Sequence, residues 1–231
     1  MHGGIDTDRR LFTLLTMTIH REEILACACD LYLTRGLEGF SMRRLAKAVG
    51  VTAPAIYRHF DGKEEVLLAV VGEAYKVFYD YLHRALQGAT PSERLRMAGE
   101  AYVDFALDHP RYYEMMHAPL AAMGIEKVPE QLRAEACAIG QFWDDRLREC
   151  AGVGVVRSSD HESIGLTMWA HAHGFVSLYL RGMMGKIDEA AFRELYRTSV
   201  ALLLEGVSEE SRADLFDDAR APAGESTEAV S

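Results

Sequence analysis

The segment from residue 41 to residue 60 combines cationic, hydroxyl and aromatic side chains in a pattern suited to contacts with nucleic acid. Arginine and lysine bind phosphate oxygens, and arginine also forms paired hydrogen bonds with the major-groove edge of guanine. Phosphate contacts would fix the register of such a surface on the duplex, and base contacts would select the sequence. With the apolar side chains buried, the residues expected to face DNA are Arg43, Thr52, Ala53, Ala55, Tyr57, Arg58 and His59.

The distribution of charge separates this segment from the rest of the chain. Between Ser41 and Lys63 there are five cationic side chains and one carboxylate, a net charge of +4. The whole chain of 231 residues carries −10, so the remaining residues carry −14. A short basic patch on an acidic body can bind phosphate while the body is repelled from it. We therefore predict double-stranded DNA as a partner of this segment.

The sequence has no motif typical of an enzyme. It contains no G-x-S-x-G nucleophile motif, no P-loop and no G-x-G-x-x-G dinucleotide motif, so we expect no catalytic residues. His171 and His173 are two apart on a predicted helix, about 200° around its axis, and cannot bind one metal ion together. Addition of His117 or His161 from elsewhere is conceivable but has no support in the spacing. No metal and no cofactor are expected.

Apolar periodicity predicts helices almost throughout and no strands, so the expected fold class is all-α. Ser41 and Thr52 are good N-cap residues, and Gly50 between them permits a left-handed turn. These residues predict a helix-turn-helix over 41–60, packed on a first helix that ends at Gly36. A helix pair of this kind can also be an ordinary hairpin in a bundle. The other expected helices cover residues 18–34, 62–86, 91–109, a short stretch around 112–116, 130–150, 160–181 and 188–204.

The stretch from Ile24 to Val71 resembles the N-terminal domain of TetR-family (tetracycline-repressor-type) regulators. The resemblance rests on I-L-A-C-A-C-D-L-Y-L-T-R-G, on S-M-R-R-L-A-K-A-V-G-V-T and on the signature Y-x-H-F-x-x-K-E-x-(V/L)-L that begins at Tyr57. It implies an all-α homodimer. The three N-terminal helices would bind a palindromic DNA operator, and the C-terminal helices would bind a small-molecule effector and dimerise.

The resemblance also implies contacts for individual residues. Tyr57, His59 and Lys63 match phosphate-contacting positions, and the positive end of the helix that begins near Lys63 also attracts phosphate. Thr52 would cap its helix and contact phosphate at once.

Base contacts are expected from two arginines. Arg43 matches a position at which some members reach a guanine edge, and Arg58 is a second candidate. The chain departs from the family at Ala53 and Pro54, where many members have a polar or basic residue followed by glycine. Ala53 could still contact a thymine methyl group.

The last two predicted helices carry the expected dimer interface. The segment L-T-M-W-A-H-A-H-G-F-V-S-L resembles the W-x-x-x-H-G element of one C-terminal subfamily, here Trp169, His173 and Gly174. In the family, such helices pair with their copies in the partner subunit as a four-helix bundle. Alternatively, they bury the same apolar face within one subunit. The expected interface residues are Phe175, Leu178, Phe192, Leu195, Ser199, Leu202 and Leu203.

A ligand pocket is expected between the fifth and eighth helices. Its apolar and aromatic character would suit a lipophilic or aromatic effector, although core packing explains each residue equally well. His173 would either form a buried hydrogen bond or face the ligand. The candidate lining residues are Tyr102, Phe105, Tyr112, Tyr113, Met116, Phe142, Trp143, Trp169 and His173.

The composition predicts four regions. Residues 1–17 read as an irregular leader that weakly mimics a signal peptide, with Met17 as an alternative start. Residues 18–64 form the helix-turn-helix domain, residues 65–206 the ligand-binding and dimerisation domain, and residues 207–231 a disordered acidic tail. No apolar run reaches the roughly 18 residues needed to span a bilayer. The four cysteines lack zinc-site spacing, which favours reduced thiols in the cytoplasm.

These features predict a ligand-responsive DNA-binding transcription regulator, a repressor released from its operator by a small lipophilic or aromatic effector. The alternative is a helical interaction module or an enzyme without DNA binding. The long fourth helix would join the two sites, because it begins beside Lys63 and carries Tyr75, Phe78 and Tyr79 on its rear half.

Overall fold

The computed structural model describes residues 21–156 and 161–207, and this part of the chain is helical, with turns and loops but no strand. The predicted all-α class is therefore confirmed. The leader and the acidic tail beyond Val207 lie outside the described residues. None of the described helices is long and apolar enough to cross a membrane. The helices are α1 (Arg21–Gly39), α2 (Met42–Val49), α3 (Ala53–Tyr57), α4 (Lys63–His83), α5 (Pro91–Asp108), α6 (Pro110–His117), α7 (Glu130–Gly152), α8 (His161–Leu180) and α9 (Glu189–Val207).

Local sequence explains how α1 and α2 end. Gly36 lies within α1 with a non-helical backbone (φ 63°), so the helix is broken where the sequence predicted its end, and one further turn follows. Gly50 adopts φ 82° at the C-cap of α2, and its N–H donates to the carbonyls of Ala46 and Lys47. At the other end of α2, the Ser41 hydroxyl accepts a hydrogen bond from the Arg44 N–H at 3.3 Å.

The start of α3 differs from the prediction. Thr52 occupies the N-cap position with an extended backbone, but its side chain makes no capping hydrogen bond. The predicted cap is therefore wrong, and the Thr52 side chain is exposed instead. Pro54 in the first turn lacks an N–H, which α3 does not need there because the first amide groups of a helix have no carbonyl partner within it.

The front core joins α1, α2 and α3 to the first half of α4. Ile24, Leu45, Ile56 and Val66 are all fully buried there. Met115 of α6 belongs to the same core, so the packing continues across the predicted domain boundary at residue 64. The boundary at residue 64 therefore does not divide the core. Its role as the limit between a DNA-binding part and a ligand-binding part stays a prediction.

The rear core is built from α4 to α9. Phe78 in the second half of α4 packs with Tyr102 and Phe105 of α5, and Phe192 of α9 is fully buried in the same cluster. Because α4 contributes to both cores over its 21 residues, about 30 Å of helix connects the front and rear of the molecule.

Candidate functional site

The helix-turn-helix and the start of α4 carry an exposed basic surface. We define this surface by Arg43, Tyr57, Arg58, His59 and Lys63, all of which are exposed. Tyr57 is 51% exposed, which is unusual for a large aromatic side chain and suits a hydroxyl that contacts phosphate. These five exposed side chains come from α2, from the end of α3 and the turn after it, and from the start of α4.

Two positions of α3 differ from the sequence-based expectation. Ala55 is buried, so the prediction that it faces DNA is wrong: Ala55 and Ile56 are about 100° apart on the helix and share its inward face. Ala53 is half-buried, and Pro54, which the sequence reasoning left out of the DNA-facing set, is exposed beside it. The tip of α3 is therefore an apolar Ala-Pro pair.

The two neighbouring arginines of α2 have different roles in the structure. Arg44 Nη1 donates to the Gly39 carbonyl at 2.7 Å and so ties α2 to the end of α1. Arg43 extends from the exposed side of the helix. Beyond α3, the Glu65 carboxylate accepts the Asp61 N–H and fixes the turn that leads to Lys63. These hydrogen bonds hold the basic surface in one arrangement.

A cavity of about 1510 Å³ lies between α4, α5, α6, α7, α8 and α9. Its walls are largely aromatic and apolar. Four residues from the predicted pocket line it, namely Tyr102, Met116, Trp143 and Trp169. Further lining residues come from the rear half of α4, from α6 and from α9: Tyr75, Phe78, His117 and Tyr196.

The other predicted pocket residues lie outside the cavity lining. Phe105 is fully buried against Phe78 and Tyr81, and Phe142 is buried against Tyr79 and Trp143. Tyr112 stacks on His109 and packs against both cores. Tyr113 and His173 are hydrogen-bonded to each other at 2.8 Å, behind the wall. For His173 this is the buried hydrogen bond that the sequence analysis gave as one alternative. The other residues lie outside the lining because apolar periodicity identifies a buried face without showing which neighbour covers it.

Polar side chains cluster at one wall of the cavity. The Tyr102 hydroxyl lies 3.3 Å from His117 Nε2 and 3.3 Å from His173 Nδ1. His117 Nδ1 lies 2.8 Å from the Tyr113 carbonyl oxygen. Burial lowers the pKa of His117 to about 4, although the hydrogen bond to the Tyr113 backbone opposes this effect. His117 is therefore neutral at pH 7. Burial also raises the pKa of Tyr102 well above its ordinary value, so its hydroxyl keeps its proton.

His171 and His173 contact different helices, as their spacing predicted. His171 Nε2 lies 3.0 Å from the Ser199 hydroxyl of α9, whereas His173 faces Tyr113 of α6. Among residues 21–156 and 161–207, no group of three or more histidine, cysteine, aspartate or glutamate side chains is placed to hold a metal ion.

Three arginines line the cavity, and each is paired with an acid. Arg96 Nη1 lies 2.8 Å from Glu100, and Arg197 Nε lies 3.3 Å from the same carboxylate. Arg148 Nη2 lies 2.7 Å from Asp144. These ion pairs add polar groups to an aromatic cavity while adding little net charge.

Comparison with known proteins matches both parts of the chain. Residues 24–70 match the family described as bacterial regulatory proteins, tetR family, and residues 95–203 match the tetracyclin repressor-like C-terminal domain. The two matches together cover more than half of the chain.

This chain belongs to the tetR family of bacterial regulatory proteins. A relative of this TetR-family regulator, the HTH-type transcriptional activator FasR of Mycolicibacterium smegmatis, is 31% identical over 97 residues, which is 42% of this chain and 44% of FasR. The chain thus matches less than half the length of FasR. An uncharacterised HTH-type transcriptional regulator of Mycobacterium tuberculosis is 28% identical over 182 residues, 77% of this chain and 78% of that protein.

A solved structure has the same fold. AibR in complex with isovaleryl coenzyme A and operator DNA superposes with a TM-score of 0.65 at 21% identity, over 80% of this chain and 97% of AibR. The W-x-x-x-H-G subfamily of this TetR-family regulator stays a prediction.

The predicted dimer residues of this TetR-family regulator differ in their exposure and contacts. Leu178, Leu195 and Leu202 are 42%, 47% and 64% exposed on α8 and α9. Phe192 is fully buried within the protomer, so its place in the predicted interface was wrong, and half-buried Phe175 packs against it. Of the remaining two, Ser199 bonds His171 and Leu203 lines the cavity.

Several cavity residues of this TetR-family regulator were missed in the sequence. Arg96 and Glu100 are four residues apart on α5, a spacing that signals a helical ion pair but not a cavity wall. His117 was considered only as a metal ligand. Since its lining role depends on where α6 packs, no sequence signal identified it.

Proposed function

We propose that this chain is a repressor that binds operator DNA with its basic surface. It would release the DNA when a lipophilic or aromatic molecule fills the cavity. The observation that carries this proposal is the shared helix α4. It begins at Lys63 in the basic surface and contributes Tyr75 and Phe78 to the cavity. A ligand that favours one position of α4 would therefore change the position of the basic surface.

The DNA contacts follow from exposure and charge. Tyr57, His59, Lys63 and the exposed Thr52 would bind phosphates, whereas Arg43 and Arg58 would read base edges. The apolar pair Ala53 and Pro54 at the tip of α3 would suit thymine methyl groups.

The effector class follows from the cavity walls. The cavity offers apolar contacts to an aromatic or aliphatic ligand through Phe78, Met116, Trp143 and Trp169. AibR, which shares the fold, has been solved with isovaleryl coenzyme A. Its example supports the idea that a cavity in this fold can accept an acyl-bearing molecule.

The assembly we propose is a homodimer built by α8 and α9. Leu178, Leu195 and Leu202 leave apolar surface exposed on these helices, which a second copy would cover. Two subunits would place two recognition helices on half-sites of a palindromic operator. We also propose that the protein acts in the cytoplasm as a binding protein and not as an enzyme.

The direction of regulation has one competing possibility. The relative FasR is named a transcriptional activator, so ligand binding could strengthen operator binding instead of weakening it. Repression is proposed because it needs only occupancy of a promoter by the dimer.

An electrophoretic mobility shift with the promoter region beside its own gene tests the DNA-binding proposal. We expect a specific shift that an effector from a thermal-shift screen of lipophilic compounds reverses. A reporter driven by the same promoter then separates repression from activation. Absence of any specific shift would favour the helical interaction module instead.

A further inference from the structure

We propose that the effector is an uncharged lipophilic molecule with a hydroxyl group, which donates a hydrogen bond to His117 Nε2 and accepts one from the Tyr102 hydroxyl. The inference rests on the proposed function, because it specifies the chemistry of the ligand in the same cavity. It excludes carboxylates and other anions as the group at this wall.

The position of the proton on His117 follows from its partner. His117 Nδ1 lies 2.8 Å from the Tyr113 carbonyl oxygen, and a carbonyl oxygen can only accept. Nδ1 must therefore carry the proton and donate it. In a neutral imidazole the other nitrogen is then an acceptor, so Nε2 of this cavity-lining residue carries a lone pair.

The Tyr102 hydroxyl and His117 Nε2 together form a donor and an acceptor that face one cavity. The Tyr102 hydroxyl lies 3.3 Å from His117 Nε2 and 3.3 Å from His173 Nδ1, and both distances are long for a hydrogen bond from a hydroxyl group, so a closer partner would be favoured. A ligand hydroxyl meets both needs, because it donates and accepts at once. An ether or a ketone could only accept and would leave Nε2 without a donor.

Anionic ligands meet two obstacles. A carboxylate beside Nε2 would bind well only if His117 took up a proton, and with a pKa of about 4 that uptake weakens binding about a thousandfold at pH 7. The three cavity arginines offer no easy alternative, because Arg96 and Arg197 already pair with Glu100, and Arg148 pairs with Asp144. An anionic head group bound to these arginines would lie close to an existing carboxylate, which repels it.

Three probes with the same alkyl chain test the proposal: 1-decanol, decanoate and 1-methoxydecane. Tryptophan fluorescence can report binding, since both tryptophans of the chain, Trp143 and Trp169, line the cavity. At pH 7 we expect 1-decanol to bind at least about tenfold more tightly than decanoate. The reason is that a carboxylate cannot donate the hydrogen bond to His117 Nε2. The methyl ether should bind about two- to tenfold more weakly than the alcohol, because it cannot donate.

Variants assign the preference to His117. In His117→Phe, which fills the space without an acceptor, 1-decanol should bind no better than the ether. Met97→Leu changes a side chain that packs against the rear core outside the cavity lining, and it should keep the alcohol preference. Tighter or equal binding of decanoate by the unaltered protein would overturn the proposal, and this comparison needs no variant to fold. Retention of the full alcohol preference in His117→Phe would also overturn it.

The two proposals can fail separately. If all three probes bind equally and release operator DNA, the hydroxyl inference is wrong and the proposed function stands. If no lipophilic compound alters operator binding, the proposed function is wrong and the effector inference fails with it.

Discussion

Arg111 near the start of α6 forms an ion pair with Asp30 of α1. The same short helix ends in Met116 and His117, which line the cavity. One helix of eight residues thus contacts α1 near one end and lines the cavity at the other. This gives a second connection between the two sites, in addition to α4.

We predict that reversal of one charge in this pair weakens the communication between the cavity and DNA. Arg111→Glu should reduce the effector-induced change in operator affinity by about two- to fivefold, because exposed ion pairs contribute roughly 0.2–1 kcal/mol. The swapped protein, with Asp30→Arg and Arg111→Asp, should recover most of the response. Fluorescence anisotropy with labelled operator, with and without effector, provides the measurement. Equal losses in the single and the swapped protein would show that the pair does not transmit the signal.

A second prediction concerns the basic surface. Tyr57→Ala, His59→Ala and Lys63→Ala should weaken binding to all operator variants about equally, and Lys63→Ala should lower the salt slope by about one. Arg43→Ala should instead cost about 1–3 kcal/mol at one base position and relax specificity there.

Lys76→Ala is the control for this series, because Lys76 is an exposed cation on the rear half of α4 and should leave the salt slope unchanged. Operator titrations at several salt concentrations give all these values. A uniform loss for Arg43→Ala across operator variants would reassign Arg43 to phosphate.

A third prediction concerns assembly. Leu195→Glu or Leu202→Glu would place an unpaired carboxylate in the proposed four-helix bundle, with a cost of several kcal/mol if the site is buried in the dimer. Light scattering should then show monomers, and operator binding should fail because both half-sites must be held at once. Leu86→Glu alters another exposed leucine, away from α8 and α9, and should stay dimeric. Dimeric Leu195→Glu and Leu202→Glu proteins would place the interface elsewhere.

A fourth prediction concerns pH. His117 has a pKa of about 4 in the folded chain, against 6.5 when exposed, because burial disfavours its charged form. Between these values the unfolded chain binds a proton that the folded chain does not, so falling pH favours unfolding. From pH 6.5 to pH 4 the chain should lose up to about 3 kcal/mol more stability than His117→Gln. Urea unfolding at several pH values measures this difference, and parallel curves for the two proteins would contradict the assignment.

A fifth prediction concerns the cavity wall. Trp143→Ala should alter the effector response and leave effector-free operator affinity within about threefold, since Trp143 lines the cavity far along the chain from the basic surface. Coupling between two such sites is typically about 1–3 kcal/mol, which is enough to detect by titration. Loss of operator binding without effector would show that Trp143 supports the fold instead.

The helix-turn-helix was predictable from the sequence because its geometry is local. The Ser41 cap and the Gly50 turn each depend on residues no more than four positions away along the chain. The same local reasoning failed at Thr52, which occupies the N-cap position although its hydroxyl makes no capping hydrogen bond. A residue type gives the capacity to cap, whereas the orientation of its side chain depends on the neighbouring helices.

The sequence by itself determined the all-α class, the position of the helix-turn-helix and the separation of His171 from His173, since each follows from helical periodicity or from contacts within one turn. Only the tertiary structure decided which aromatic residues line the cavity. Tyr102 and Phe105 are three residues apart on α5, and both are buried, yet only Tyr102 lines the cavity. The physical reason is that periodicity fixes which face of a helix is apolar, while the packing of distant helices determines whether that face meets a cavity, the core or a partner subunit.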